Sequence, residues 1–282
     1  MKLAYRFFCV LRNLCLIVTL GLNYSAFGFE VSGDGFEYTP EYFVKEFSET
    51  VGPSLNVPES VSSEYAGYLD DSLKAKNIWL ENQEFVILVD RNPNIQAAFL
   101  YLGSTQNGWR LVGAAPISSG LPGKFEHFLT PMGVFVHSLD NPDFRAEGTK
   151  NEFGFRGYGE KGMRVYDFGW IPALRTWGKR DMGLMRLQMH ATDPVLAESL
   201  LGTPRSEGCI RIPASLNRFI DHFGVLDAQY DEAISQGAHF WVISKDRQST
   251  PFSGRYLVVV DSEQSHKPGW SRVVNLKREA SK

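Results

Sequence analysis

Between Glu84 and His137 the chain is a succession of short apolar runs, Phe85 to Asp90, Ala97 to Leu102, Trp109 to Ala115 and Met132 to His137, parted by Asn-Pro, Gly-Ser and Asn-Gly turn signals. Runs of this length, bounded in this way, suit antiparallel strands and are too short for core helices. The pattern predicts a mainly β domain with flanking helices, an α+β chain. Further strands are expected at Leu184 to His190 and at His239 to Ser244 within Gln236-Gly237-Ala238-His239-Phe240-Trp241-Val242-Ile243, which reads as a closing strand. Arg255 to Val260 is read as an edge strand or part of the tail. Leu216, Phe219, Ile220 and Phe223 share one helical face before the stop signal Gly224, and a second helix is expected from Asp227 to Gln236, ended by Gly237. Upstream, Pro40 to Phe47 and Ser63 to Leu73 are candidate helices around a break at Gly52-Pro53. No internal repeat is visible.

One histidine and one cysteine carry the chemistry. His190 and Cys209 stand nineteen positions apart, in Met189-His190-Ala191-Thr192-Asp193-Pro194 and Ser206-Glu207-Gly208-Cys209-Ile210-Arg211. A thiol is nucleophilic as thiolate, and a neighbouring imidazole can take its proton. Between them Asp193 suits a helix cap, Pro194 a first helical position and Gly202 the residue past the end, so a brief helix is expected to return the chain toward His190.

Cysteine usage sharpens this reading. Lys2, Arg6 and Arg12 precede an apolar stretch from Leu14 to Leu22 and the small-x-small site Ala26-Phe27-Gly28, which together read as a secretory signal peptide over residues 1–28. The apolar run is short for a membrane span, and an uncleaved anchor is the alternative. Cleavage would remove Cys9 and Cys15 and leave Cys209 alone in a chain of about 254 residues. A lone cysteine in an exported protein has no internal disulfide to make, which favours a reactive thiol over a small buried hydrophobe. Losing three cations takes the formal charge from −3 to −6, and the only basic cluster is in the tail at Lys277-Arg278 and Lys282, so nucleic acid is excluded as a partner.

His190, fifteen intervening residues, then Ser206-x-Gly208-Cys209-Ile210-Arg211 resembles the signature of the L,D-transpeptidase (YkuD-type) catalytic domain, a His followed after a spacer by Ser/Thr-His-Gly-Cys-x-Asn/Arg. Pro116-Ile117-Ser118-Ser119-Gly120 and Thr130-Pro131-Met132-Gly133-Val134-Phe135, the latter similar to the family's T-P-x-G-x-F strand, agree in order and distance. The likeness covers residues 84–245, with 29–83 a helical lead-in, 139–183 a lid-like insertion and 246–282 an extension.

The resemblance implies a YkuD-like, β-sandwich-like catalytic fold acting on peptidoglycan stem peptides in the periplasm or cell envelope, with a role in cell-wall biogenesis and cell shape. By that resemblance Cys209 attacks the amide after the third stem residue, His190 is general base and then acid, and the backbone N–H groups of Gly208 and Cys209 are oxyanion donors. Arg211 holds a stem carboxylate or serves as a structural ion-pair partner, and Ser206, Glu207, Ser119 and Ala191 border the substrate. An amine (another stem peptide, a lipoprotein or a D-amino acid) or water resolves the acyl-enzyme, giving a transpeptidase or an L,D-carboxypeptidase or endopeptidase. A non-catalytic wall-binding module is the reading from a different class. No cofactor or metal is implied, and no stable membrane span is expected after cleavage.

Two positions depart from the family pattern. Glu207 stands where the family has histidine, and an anion beside a cysteine raises the thiol pKa unless it points away or is paired with Arg205 or Arg211. Ala191 follows His190 where the family often has Gly or Ser, so the imidazole must be oriented by a backbone carbonyl. His127 and His137 are read as solvent or core histidines rather than cleft groups, and Gly157-Tyr158-Gly159-Glu160-Lys161-Gly162 as a chance match to a dinucleotide-binding string. Neither Ser-x-x-Lys nor G-x-S-x-G occurs. Arg156, Lys161, Arg164, Arg175, Lys179, Arg180 and Arg186 make the 139–183 region and its flank cationic, which suits either a clamp for carboxylates or a solvated insertion around its own aromatics.

Overall fold

The computed structural model describes residues 30–31 and 37–274, so residues 1–28, read as a signal peptide, and the basic end of the tail lie outside the described residues. A two-stranded ribbon, β1 (Glu30–Val31) with β2 (Glu37–Tyr38), precedes α1 (Pro40–Thr50) and α2 (Glu59–Ala75). Then come β3 (Glu84–Asp90), β4 (Ala97–Ser104), β5 (Gly108–Pro116), β6 (Gly133–Val136), β7 (Phe144–Arg145), β8 (Arg164–Leu174), β9 (Met182–Ala191) and β10 (Ile210–Ile212). The chain continues through α3 (Ala214–Phe223), α4 (Ala228–Ser235) and β11 (Tyr256–Val260). The result is an α+β architecture of two main sheets, ordered β5-β4-β3-β11-β6 and β10-β9-β8-β7.

The five-stranded sheet is buried on both faces, which explains why its strands read as unbroken apolar runs. Phe85, Ile87 and Val89 of β3 point into a core shared with β8, β9, β10, α1 and α3. Val86 and Leu88 point the other way, against Tyr65, Leu69 and Leu73, which recur every four residues along α2. The first helix starts where Thr39 Oγ1 accepts from the Tyr42 amide at 3.1 Å, with Pro40 behind the cap, and it buries Phe43 and Phe47. The helical lead-in thus covers both faces of the sheet rather than standing apart from it.

Several expectations are corrected here. His239 to Ser244 forms no strand, and Trp241 is exposed; the closing position belongs to β11, which lies inside the sheet, parallel to β3 and antiparallel to β6. In β11, Leu257 and Val259 face one core and Val258 the other, a two-sided burial that the sequence 239–244, with its polar ends, cannot supply. The connection from 139 to 183 is not wholly a lid, because β8 is among its residues and is buried from Arg164 to Phe168. The brief helix after Asp193 is reduced to turns and one 3-10 turn, Glu198–Leu200; Asp193 caps the turn that precedes the 3-10 segment, its Oδ1 accepting from the Val195 and Leu196 amides at 3.0 Å. Arg164, placed by sequence among cations free to meet a ligand, is fully buried. Its guanidinium lies 2.7 Å from Asp143 and 2.7 Å from Asp227, and Asp143 also meets His137 at 2.8 Å. His137 is accordingly a core group, its Nδ1 donating to the Leu226 carbonyl at 2.7 Å.

Replacing Arg164 by Ala leaves Asp143 and Asp227 buried without their shared counter-charge, and removal of one partner from such a network costs about 3–5 kcal/mol. Urea unfolding of the full chain is expected to show a loss of that size, and a change below about 1 kcal/mol would contradict the arrangement.

Candidate active site

The parallel pairing of β10 with β9 sets Ile210 against Met189, Arg211 against His190 and Ile212 against Ala191. Side chains alternate along strands, and Leu187, Met189, Ile210 and Ile212 are all buried in the shared core. His190 and Arg211 therefore point to the opposite face, as does Cys209, two residues before Arg211. Cys209 and His190 become diagonal neighbours on that face, with backbones about 7–8 Å apart. The same face carries Asp167 of β8 and Gln188 of β9, which are paired across the strands.

The loop before β10 is held by the two upstream segments that share the family likeness. Ser118 and Arg211 exchange backbone hydrogen bonds at 2.9 Å, and the Ser119 carbonyl accepts from the Arg205 and Ser206 amides. Thr130 Oγ1 donates to the Gly208 carbonyl at 2.7 Å and accepts from the Gly120 amide at 2.8 Å. Ser206 Oγ donates to the Cys209 carbonyl at 2.5 Å and accepts from the Gly208 amide at 3.1 Å. Glycine is required at 208: its φ is +132°, and a Cβ there would lie 2.7 Å from the Met185 side chain and 3.2 Å from Phe128.

Electrostatics keep the pair neutral at rest. Burial pushes the Cys209 thiol up to about 11; Glu207 and Asp167 add to the rise, while a hydrogen bond from the Gln188 backbone and the charge of Arg211 oppose it. Burial also holds the His190 imidazole down at about 4, with its bond to Ala191 opposing and Arg211 reinforcing the shift. A carbonyl can only accept, so the 2.7 Å contact between His190 Nδ1 and the Ala191 carbonyl places the proton on Nδ1 and leaves Nε2 as acceptor. The Cys209 thiol donates to the Arg186 carbonyl at 3.7 Å, and among the described residues no hydrogen bond joins it to His190.

The expected site residues thus fall into three groups. His190, Cys209 and Arg211 share one face, and the Ala191 carbonyl orients the imidazole as the sequence required. Glu207 is exposed beside the thiol and raises its pKa. Ser119 and Ser206 are each 1% exposed and engage their hydroxyls inside the protein, Ser119 Oγ accepting from Gln96 Nε2 at 2.8 Å. The Gly208 amide, the expected oxyanion donor, donates to Ser206 Oγ in this structure. Of the remaining cations, Arg186 meets Asp167 at 2.7 Å, Arg175 meets Asp181 at 3.3 Å and Arg156 meets Asp193 at 3.5 Å.

Tyr158 is the site residue that sequence reading passed over. Its ring lies edge-on to His190 with centroids 4.6 Å apart, and its hydroxyl donates to Gln188 Oε1 at 3.1 Å. Gln188 Nε2 donates in turn to Asp167 Oδ2 at 2.7 Å, which also receives Arg186 Nε. The available signal was the glycine on either side of the tyrosine: Gly159, at φ +84°, sits so close to Ala191 that a Cβ would come within 2.8 Å of the alanine's own. Among the described residues no cluster of three or more His, Cys, Asp or Glu is placed to hold a metal ion, and no helix is long and apolar enough to cross a membrane.

No protein-family profile matches this chain, and no curated protein matches it. Among solved structures the chain is similar to the helical cell shape determining protein Pgp2 from Campylobacter jejuni, at 13% identity over 80% of this chain and 56% of that one, with a TM-score of 0.31. It is also similar to a lysine-to-alanine mutant of Pgp2, at 14% identity with the same coverage and a TM-score of 0.28. The chain spans little more than half the length of these neighbours.

Iodoacetamide labelling of Cys209 in the full chain, read by peptide mapping, is expected to quicken about tenfold for each pH unit between about pH 7 and 10, because only thiolate reacts. A plateau below about pH 8 would show a stabilised thiolate and contradict the buried, neutral pair. Thr130→Val strands the Gly208 carbonyl and Gly120 amide without a partner, so it is expected to cost about 1–3 kcal/mol of stability by urea unfolding, and an unchanged midpoint would show that the clasp is dispensable.

Proposed function

We propose that this protein is an exported cysteine acyl-transfer enzyme of L,D-transpeptidase type, acting on peptidoglycan stem peptides. The observation that carries this reading is the convergence of residues 116–120, 130–135 and 206–211, far apart in sequence, on the backbone around Cys209, with His190 on the adjoining strand of the same face. The resemblance of those segments supplies the substrate class, and the N-terminal segment supports export to the periplasm or cell envelope.

In this mechanism Cys209 Sγ attacks the carbonyl carbon of the amide after the third stem residue while its proton passes to His190 Nε2. The resting thiol is protonated, so proton removal accompanies attack instead of preceding it. His190 then gives the proton to the departing amine, the C–N bond breaks and a thioester remains. An acceptor amine, or water, attacks the thioester and loses its proton to His190, and the proton returns to sulfur as the thioester opens. An amine yields a crosslink or an exchanged residue; water yields a shortened stem. Tyr158 packs on the imidazole and limits its rotation, and the Gln188–Asp167–Arg186 chain holds Tyr158.

Incubating the full-length protein with purified tetrapeptide-bearing muropeptides and separating products by mass tests the proposal. Crosslinked dimers or tripeptides are expected, and Cys209→Ala should abolish them while still binding the muropeptide. Unchanged material, bound equally by both proteins, would identify a wall-binding module instead.

A further inference from the structure

The outer half of the β8–β9 hairpin carries an apolar face that no other described residue covers. Cross-strand pairing sets Trp170 against Arg186, Pro172 against Leu184 and Leu174 against Met182. Alternation puts these six on one side of the ladder, while Ala173 and Met185 turn to the core. On the outward side Trp170 is 64% exposed, Leu184 63%, Met182 59% and Leu174 39%, with Pro172 exposed among them. The patch runs four residue steps along β8, about 13 Å, across two strands about 4.8 Å apart. Beyond Leu174 and Met182 the hairpin closes in a turn held by the Arg180 amide donating to the Trp177 carbonyl at 3.1 Å and the Arg175 amide donating to the Asp181 carbonyl at 2.9 Å. That turn exposes Lys179 and Arg180, which make no ion pair among the described residues, whereas Arg175 meets Asp181 at 3.3 Å. The neighbouring loop is tied on by the Thr176 hydroxyl, which accepts from the Gly123 amide at 2.9 Å and donates to the His127 carbonyl at 2.6 Å, and it adds exposed Lys124 and Phe125. Four cations, Lys124, Arg175, Lys179 and Arg180, thus stand against the carboxylates of Glu126 and Asp181 at this end of a chain whose net charge is −3.

A contiguous apolar face left in water is costly and marks a contact surface. Its chemistry narrows the partner. Apart from the indole N–H, the side chains of Trp170, Pro172, Leu174, Met182 and Leu184 offer no hydrogen-bonding group, so they are suited to hydrocarbon and not to sugar hydroxyls or an extended peptide. The excess of positive charge at the adjoining turn calls for an anionic partner. A bilayer surface meets both demands: aliphatic side chains enter the acyl boundary, an indole settles at headgroup level, and Lys and Arg reach the phosphates. No helix among the described residues is long and apolar enough to cross a membrane, so this contact is interfacial.

We infer that the outer end of the β8–β9 hairpin docks on an anionic lipid surface, with Trp170, Leu174, Met182 and Leu184 entering the headgroup boundary and Lys179 and Arg180 meeting lipid phosphates. Eight residue steps of β9 separate Met182 from His190, about 27 Å along the strand, so docking holds the candidate site near the bilayer. The inference does not rest on the acyl-transfer reading above.

The test is co-sedimentation of the full-length protein with phosphatidylcholine vesicles, with and without about one third phosphatidylglycerol. Residues 1–28 contain an apolar stretch of their own, so the reading is the difference between proteins that share it. Lys179→Gln combined with Arg180→Gln should lower affinity for the anionic vesicles at least about tenfold and leave affinity for the neutral ones unchanged. Leu174→Ser combined with Leu184→Ser should also weaken binding to the anionic vesicles at least about tenfold; circular dichroism checks that each variant is folded. Lipids brominated on their acyl chains should quench tryptophan emission, and Trp170→Phe should reduce that quenching. Unchanged vesicle affinity in either double variant overturns the inference, as does a lack of vesicle binding by the unsubstituted protein or quenching that Trp170→Phe leaves intact. Vesicle binding that survives the serine pair while self-association in analytical sedimentation is lost would make the face a contact between copies instead. Conversion of muropeptides in solution needs no bilayer, so failure here leaves acyl transfer standing, and vesicle docking without conversion does the reverse.

Discussion

Three residue pairs of parallel ladder decide where the candidate site of this protein lies. Because side chains alternate, the register that sets Arg211 against His190 sends Ile210, Ile212 and Met189 into the core and brings Cys209, Arg211 and His190 together on the opposite face. A slip of one residue would turn the thiol to the core side of the ladder and two isoleucines away from it. So short a ladder does not hold its register unaided. The Thr130 and Ser206 hydroxyls and the Ser118–Arg211 bridge supply the rest, by giving the backbone groups of the glycine turn partners that they would otherwise lack.

The same burial that orders the loop sets its reactivity. Withdrawing the thiol and the imidazole from water favours their uncharged forms, which moves the cysteine up and the histidine down and separates the two values instead of drawing them together. The outcome is an imidazole that stays neutral and able to accept a proton across a wide pH range beside a thiol that stays protonated at neutral pH. Arg211 is the cation whose charge pulls the thiol's pKa down. Its position makes it both a moderator of the thiol and one wall of a cavity that it shares with Arg156 and Arg205, while exposed Glu207 pulls the thiol in the other direction.

How much of the site was legible depended on whether a residue's role is local. His190 and Cys209 could be read because nucleophile and base are scarce residue types in a telling order, and the carbonyl that orients His190 was foreseeable because alanine offers nothing else. The internal hydrogen bonds of Ser119 and Ser206 were not legible, because a hydroxyl looks alike in sequence whether it meets a ligand or another protein group. Arg164 was misassigned for a similar reason, since its partners Asp143 and Asp227 lie twenty-one and sixty-three residues away. Tyr158 went unrecognised because its partners come from β9, and only its flanking glycines hinted at close packing.

Local pattern by itself determined that the chain is mainly β, where most strands and the four α-helices of the described residues fall, that Asp193 caps its turn, and that one histidine and one cysteine stand nineteen positions apart in sequence. Those properties follow from side-chain period, backbone freedom and functional-group chemistry within a few residues. Tertiary structure alone decided that β11 closes the sheet in place of residues 239–244, that both faces of that sheet are covered, that Arg164 is an internal counter-ion, and that three arginines share one cavity. Each of these rests on contacts between segments tens of residues apart, where burial and charge compensation, not local preference, select among alternatives the sequence leaves equal.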